Sequence, residues 1–297
     1  MKKFNISTLS LLLLASVLVA ADTHELDSLV VSFSNPSQAG TVKAEMMMGD
    51  ITVRTHSGKD VIIVTKENPD MPRNAFVLPE MAFDAQLFFT NDKKADKEPD
   101  PEKIKGLKKI QSSQFGINVE ENNNIIEITM PPMFFLGQGG NELDLIVPKR
   151  TSLQLKSVQG AINVNNVIGD IEVEATGGDI DLNNVGGTIV AHTMRNIDAT
   201  VTHVAPDKPM SFSTYSGDID VTLPTNMNAT LKLKSHGDIY TDFDTSKRRM
   251  AKSVSEDRDS EVYKATVEKL LEIPVNGGGQ DIEFTNFSGT IYIRKNK

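Results

Sequence analysis

The sequence predicts an all-β fold, a single-stranded parallel β-helix or solenoid with about 18–20 residues per coil, wound right-handed and carrying two charged loop excursions. Glycine recurs every nine residues in the middle of the chain, at Gly160, Gly169, Gly178 and Gly187. Between these glycines aliphatic and polar side chains alternate, and a period of two indicates short strands with one face inward. Because one such unit cannot bury its own apolar face, neighbouring units must stack.

Glycines that precede an aliphatic strand are expected at corners, where the backbone needs a positive φ or a close approach. The predicted corners are Gly160, Gly169, Gly178, Gly187, Gly217, Gly237 and Gly289. The best internal match is 18 residues apart, since AINVNNVIG (161–169) aligns with DIDLNNVGG (179–187). This offset stacks two asparagine pairs, which predicts side-chain amide ladders between coils. The pairs are Asn165 with Asn183 and Asn166 with Asn184.

The first 21 residues have the pattern of a signal peptide. Lys2 and Lys3 precede an apolar run over residues 9–19, and small residues end at Ala21. The run is too short to span a bilayer, so we expect cleavage, export and no membrane span in the remaining chain. The mature protein is then expected in the periplasm, on the outer surface or in the medium.

Residues 22–297 are predicted to form one solenoid domain. Charge and proline content predict loop excursions at 68–110 and 244–261. The open ends of the stack need covering, because an unpaired strand edge invites association. Residues 22–35 and 289–297 are the predicted caps.

Composition excludes several classes of protein. The chain has no cysteine, so it is neither a disulfide scaffold nor a thiol enzyme. Its formal net charge is −9 and it has no dense Lys/Arg cluster, which argues against nucleic acid as a partner.

Three stretches carry a resemblance to a known family. They are LDLIVPKRTSLQLKSVQGAINV (143–164), DKPMSFSTYSGDIDVTLPTNMNATLKLKSHGDIYTDFD (207–244) and NGGGQDIEFTNFSGTIYIRK (276–295). Over residues 26–295 the chain resembles a bacterial family of unknown function labelled putative adhesin. The resemblance implies a β-helical exported or envelope-anchored protein, and it supplies no catalytic residues. The chain differs from the family pattern in carrying Ser216, His236 and Ser288 before a glycine, where asparagine is common.

A calcium-binding β-roll is not predicted. Such arrays follow G-G-x-G-x-D-x-U-x, in which aspartates and glycine carbonyls supply the oxygens. In GGDIDLNNV (177–185), Ile180 occupies the position of the third glycine and Leu182 that of the aspartate. At an offset of 18 no continuous acid column forms, and only Asp218 and Asp238 are expected to stack as a pair. We therefore expect no metal and no cofactor.

One pair of side chains could support glycan cleavage. Some β-helices are lyases or hydrolases with outward carboxylates beside Arg or His. The offset of 18 places Glu174 beside His192, and Arg195 is near in sequence. An ordinary surface ion pair explains such a combination equally simply.

The sequence therefore favours a non-enzymatic exported solenoid that acts as an envelope or cell-surface interaction protein through its flat faces and loops. The expected partner is an envelope or extracellular protein or a glycan. The alternative is a carbohydrate-active β-helix enzyme that acts on an extracellular polysaccharide, with Glu174 and His192 as its weak catalytic candidates.

Overall fold

The computed structural model describes residues 27–67, 117–129, 141–206, 208–259 and 262–296. These residues form strands joined by turns. The first ten strands are β1 (Asp27–Ser32), β2 (Gly40–Met48), β3 (Ile51–His56), β4 (Asp60–Glu67), β5 (Asn118–Asn122), β6 (Ile125–Thr129), β7 (Asn141–Pro148), β8 (Thr151–Gln159), β9 (Ile162–Asn165) and β10 (Ile168–Ala175). The others are β11 (Ile180–Thr193), β12 (Ile197–Val204), β13 (Met210–Thr214), β14 (Ile219–Leu223), β15 (Ala229–Ser235), β16 (Ile239–Thr241), β17 (Arg249–Asp259), β18 (Val262–Val275), β19 (Gln280–Asn286) and β20 (Ile291–Lys295).

The strands form two stacks, with the core between them. The first stack runs β5, β6, β2, β8, β10, β11, β13, β19, β15, β18 and β17. The second runs β1, β4, β7, β3, β9, β11, β12, β14, β20 and β16. Because β11 is 14 residues long, it turns the corner and contributes to both stacks. The all-β solenoid that the sequence predicts is confirmed.

Inward side chains repeat from coil to coil and fill the core. Leu153, Ile171 and Ile189 occupy the same register position in three successive strands, and each is at most 2% exposed. Full burial of one such side chain stabilises the fold by about 1.5–3 kcal/mol. The core is therefore a column of aliphatic side chains that continues along the axis of the solenoid.

Two coils lie out of chain order. The β2–β3 coil lies between the β6–β7 coil and the β8–β9 coil. The β19–β20 coil lies between the β13–β14 coil and the β15–β16 coil. The cap predicted at 289–297 is therefore wrong, because β20 pairs on both edges and buries Ile291 and Ile293. In contrast, β1, within the other predicted cap (22–35), ends the second stack.

Antiparallel strands finish most stack ends. β5 closes one end of the first stack, and β17 with β18 closes the other. The loop predicted over 244–261 is therefore wrong for residues 249–259, which form β17. Pairing with β18 satisfies the backbone of this segment, so its charge does not prevent strand formation. The predicted signal peptide, 1–21, and the first predicted excursion, 68–110, lie outside the described residues. Within the described part of the chain, no helix has the length and apolarity to cross a membrane.

Candidate functional site

The predicted corner glycines form two columns along the solenoid. One column contains Gly160, Gly178, Gly217, Gly289 and Gly237, and the other contains Gly169 and Gly187. A Cβ on Gly178 would lie 1.9 Å from the carbonyl oxygen of Gly160 in the preceding coil. Gly187 also has a φ of +114°, which L side chains rarely adopt. These glycines let adjacent coils approach closely, so they serve the architecture of the corners.

The four asparagines of the predicted ladders have different structural roles. Asn165 lies opposite Asn183 in the register of β9 and β11, and its amide donates to the carbonyl of Val53 at 3.4 Å. Asn166 and Asn184 have φ values of 62° and 54°, the left-handed conformation that asparagine tolerates best among residues with a side chain. Asn166 and Asn184 thus provide turns, which the prediction of amide ladders missed.

Aspartate and asparagine side chains cap the first corner. The carboxylate of Asp50 accepts from the backbone N–H of Ala161 at 2.8 Å, and the carboxylate of Asp179 accepts from that of Asn196 at 3.1 Å. Asp218 continues this series, because its own N–H donates to the Asn196 side chain at 2.9 Å. The recurring Gly-Asp-Ile phrase is the signal for this ladder. Its acids bind backbone amides of the next coil.

A buried polar column lies beside the same corner. The hydroxyl of Thr193 donates to the carbonyl of Gly178 at 2.7 Å, and Ser157 donates to the carbonyl of Gly49 at 3.1 Å. The Asn286 amide donates to the Gly217 carbonyl at 2.8 Å. These interior polar groups satisfy corner carbonyls that strand pairing leaves free.

The structure places Glu174 opposite His192, in adjacent strands β10 and β11. The carboxylate of Glu174 lies 3.3 Å from the ammonium of Lys156 on the opposite side, and both side chains are well exposed. Arg195 pairs with Asp179 at the corner at 3.3 Å. Glu174 and Arg195 thus have structural partners of their own.

An acidic column that the sequence analysis missed lies on the outward side of the second stack. Asp181, Asp198 and Asp220 are in register in β11, β12 and β14. Burial raises the pKa of Asp198, and the charges of Asp181 and Asp220 raise it further. Burial, followed by the charge of Asp179, also raises the pKa of Asp181.

The register explains both this column and an error about the corner acids. Successive coils here are 17 and 22 residues apart, as in the series Ile180, Ile197 and Ile219, so a constant offset of 18 fails. The predicted stacking of Asp218 on Asp238 is wrong, because β20 lies between β14 and β16. Within the described residues, no group of three or more His, Asp or Glu side chains could hold a metal ion.

Exposed apolar side chains line up along the first corner. We call Met194, Tyr215, Phe287 and His236 the aromatic ridge. They follow strands that are adjacent in the first stack, β11, β13, β19 and β15. The Tyr215 and Phe287 rings stack at 4.9 Å and 5° between planes, and His236 lies 5.0 Å from Phe287. Met194, Tyr215 and Phe287 are each 51–55% exposed.

A shallow groove of about 200 Å³ borders the aromatic ridge. Its outward floor is formed by side chains at equivalent positions of the same four strands, and its wall is formed by the ridge. The lining residues are His192, Ser213, Thr214, Tyr215, Lys234, His236, Thr285, Asn286 and Phe287. The groove therefore combines aromatic, hydroxyl, imidazole and ammonium groups on a rigid sheet.

Residues 149–271 match the Toastrack DUF4097 family. The matched region extends from just before β8 into β18, and it includes His192, Tyr215, Lys234 and His236. The match confirms the resemblance to a family of unknown function labelled putative adhesin, over a shorter range than 26–295. The last quoted block, 276–295, lies outside the matched residues.

Two solved structures resemble most of the chain at low similarity. One is a putative cell adhesion protein from Clostridium sporogenes, with 12% identity, a TM-score of 0.37 and coverage of 92% of this chain and 100% of that chain. The other is a putative adhesin from Bacteroides fragilis, with 12% identity, a TM-score of 0.32 and coverage of 92% and 98%. Comparison with curated proteins finds no significant match.

Proposed function

We propose that this chain is a non-enzymatic, exported β-solenoid that acts as an interaction protein of the cell envelope or cell surface, in the manner of an adhesin. The observation that carries the proposal is the aromatic ridge. It exposes two stacked aromatic rings and a methionine on a corner whose backbone is held by pairing on both sides. The N-terminal signal-peptide pattern supports export.

The aromatic ridge has the properties of a contact surface. Aromatic and methionine side chains are enriched in protein interfaces, and exposed apolar patches often mark sites of interaction. Tyr215 and Phe287 hold each other in place, so a partner would pay little conformational entropy to immobilise them. A rigid, partly exposed pair of rings is therefore well suited to anchor a partner.

The other outward columns look different, because their charges are largely paired. Arg294 binds the carboxylate of Asp220 through two nitrogens, at 2.7 and 2.6 Å, and Lys156 pairs with Glu174. Exposed ion pairs of this kind contribute little to binding or stability. The ridge is thus a more promising contact surface than these charged columns.

The catalytic alternative has less support in the geometry. A glycosidase needs two carboxyl groups that flank the scissile bond. Beside His192, the carboxylate of Glu174 is directed to Lys156 at 3.3 Å, and the described residues that line the groove include no Asp or Glu. We therefore propose binding without catalysis.

The test measures binding of the purified, fluorescently labelled mature protein to intact bacterial cells. Tyr215 and Phe287 are changed to serine together. Tyr240→Ser is the matched control, because Tyr240 also stacks on a second ring, Tyr292, and is similarly exposed at 56%. We expect the double variant to lose about tenfold or more in apparent affinity, since aromatic anchors dominate interfaces.

The control should bind as the unchanged protein does. Equal binding by all three proteins, with unchanged melting temperatures, would refute the role of the aromatic ridge. Release of reducing ends from a panel of polysaccharides by the unchanged protein would instead favour the enzyme alternative.

A further inference from the structure

The geometry points to a glycan that carries carboxylate groups as the ligand of the groove beside the aromatic ridge. This inference rests on the proposed binding function and adds the chemical class of the ligand. The glycan chain would lie along the axis of the solenoid, across β11, β13, β19 and β15.

Charge favours an anionic ligand. The whole chain has a net charge of −9, yet the groove lining includes Lys234 and two histidines and, among the described residues, no carboxylate. Two nearby carboxylates are engaged elsewhere: Glu174 lies 3.3 Å from Lys156, and Asp281 lies 2.6 Å from Lys232. The groove is thus a local exception on an acidic protein. A ligand carboxylate would meet an ammonium group there.

Hydrogen-bonding groups favour a polyhydroxylated ligand. The hydroxyls of Ser213 and Thr285 lie on neighbouring strands at paired register positions, and His192 and Lys234 occupy the flanking positions of the same column. Each hydroxyl can both donate and accept. A row of such groups matches the hydroxyls of a sugar chain.

The repeat of the fold favours a linear polymer. Neighbouring strands are about 4.8 Å apart, which is close to the length of one sugar unit in an extended glycan. Successive sugars along the groove would therefore meet equivalent positions on successive strands. The four strands give room for a segment of a few sugars.

The strand pairing argues against an extended acidic peptide. A peptide that binds by strand addition needs a free sheet edge. The strands below the groove are interior to the stack, since β13 lies between β11 and β19, and β19 lies between β13 and β15. Their backbone groups are used in the ladder, so recognition must come from side chains.

Isothermal titration calorimetry with the mature protein tests this inference. The probes are oligogalacturonate, its fully methyl-esterified form, a hyaluronan oligosaccharide and poly-glutamate of similar charge. We expect at least one of the two uronate glycans to bind. The esterified chain is expected to bind about tenfold more weakly than its acid form, because it lacks the charge-assisted hydrogen bond.

Two substitutions locate the site. Lys234→Gln should weaken binding of the acidic glycan about tenfold. Lys156→Gln removes the same charge from the same outward column, outside the groove, and should leave the affinity unchanged. Thermal melting of both variants checks that the fold is retained, and Ser213→Ala supplies a second change that keeps the charge and should also weaken binding.

The outcomes separate this inference from the proposed function. No binding to either uronate, or equal binding to poly-glutamate, would overturn the glycan inference. Equal losses in the Lys234 and Lys156 variants would overturn its location. Ridge-dependent binding to cells would still support the interaction function in each of these cases, whereas failure of both assays would overturn both.

Discussion

Replacing Thr193 with valine removes one hydroxyl from the buried polar column beside the first corner. This hydroxyl donates to the carbonyl of Gly178 at 2.7 Å and accepts from the backbone N–H of Arg195 at 3.0 Å. Valine has nearly the same shape, so the change leaves packing intact and removes both hydrogen bonds. Thr193 is fully buried, and an unsatisfied buried polar group costs about 1–3 kcal/mol. We expect the free energy of unfolding to fall by about 2 kcal/mol.

Urea unfolding followed by far-ultraviolet circular dichroism measures this change, since the chain has no tryptophan for fluorescence. The urea midpoint should fall while the slope with denaturant stays constant. Thr200→Val is the matched control, because Thr200 lies on the outward side of β12. Its effect should stay within about 0.5 kcal/mol. Equal losses in the two variants would refute the reasoning that the buried hydroxyl holds the corner.

Two further changes test the charges and the corners. Asp198→Asn should stabilise the protein at neutral pH by up to about 1 kcal/mol, because it relieves repulsion in the acidic column. The folded-state pKa is raised, so the cost of the charge, and the benefit of Asn, should shrink as pH falls through that pKa; a benefit that grows in acid would contradict this. Gly178→Ala should lower the melting temperature strongly, because its Cβ would lie 1.9 Å from the carbonyl oxygen of Gly160. The neighbouring Gly177→Ala has more room, with its nearest contact at 3.1 Å, and a comparable loss there would refute the close-approach argument.

The regular coils are predictable from sequence because their periods are local. Gly160 and Gly178 are 18 residues apart, and the strands that follow them pair in register. The position of β20 is not predictable in this way. Its Gly-Thr-Ile phrase states that a corner precedes an inward strand, but the phrase does not state which coil lies next to it. Neighbour choice depends on the length and path of the excursions, which have no period.

The candidate site was harder to predict than the fold, for a related reason. Tyr215 and Phe287 are 72 residues apart, and they meet because the β19–β20 coil lies out of chain order. An argument from a constant offset of 18 can place His192 beside Glu174, but it cannot bring Phe287 or Lys234 to the same groove. The signal that could have found them is the exposed aromatic residue after the last inward position of each strand.

The two outward faces differ in a way that bears on ligand choice. The second stack carries Asp181 and Asp198, whose raised pKa values show that like charges are crowded there. The first stack carries His192 and Lys234 beside the aromatic ridge. An anionic chain would be repelled from the acidic column and attracted to the groove, so the same charge pattern would select both the ligand and the face. Changing Asp198 to lysine should therefore let a uronate glycan bind on the second face as well, which would raise the binding stoichiometry while the affinity of the groove stays constant.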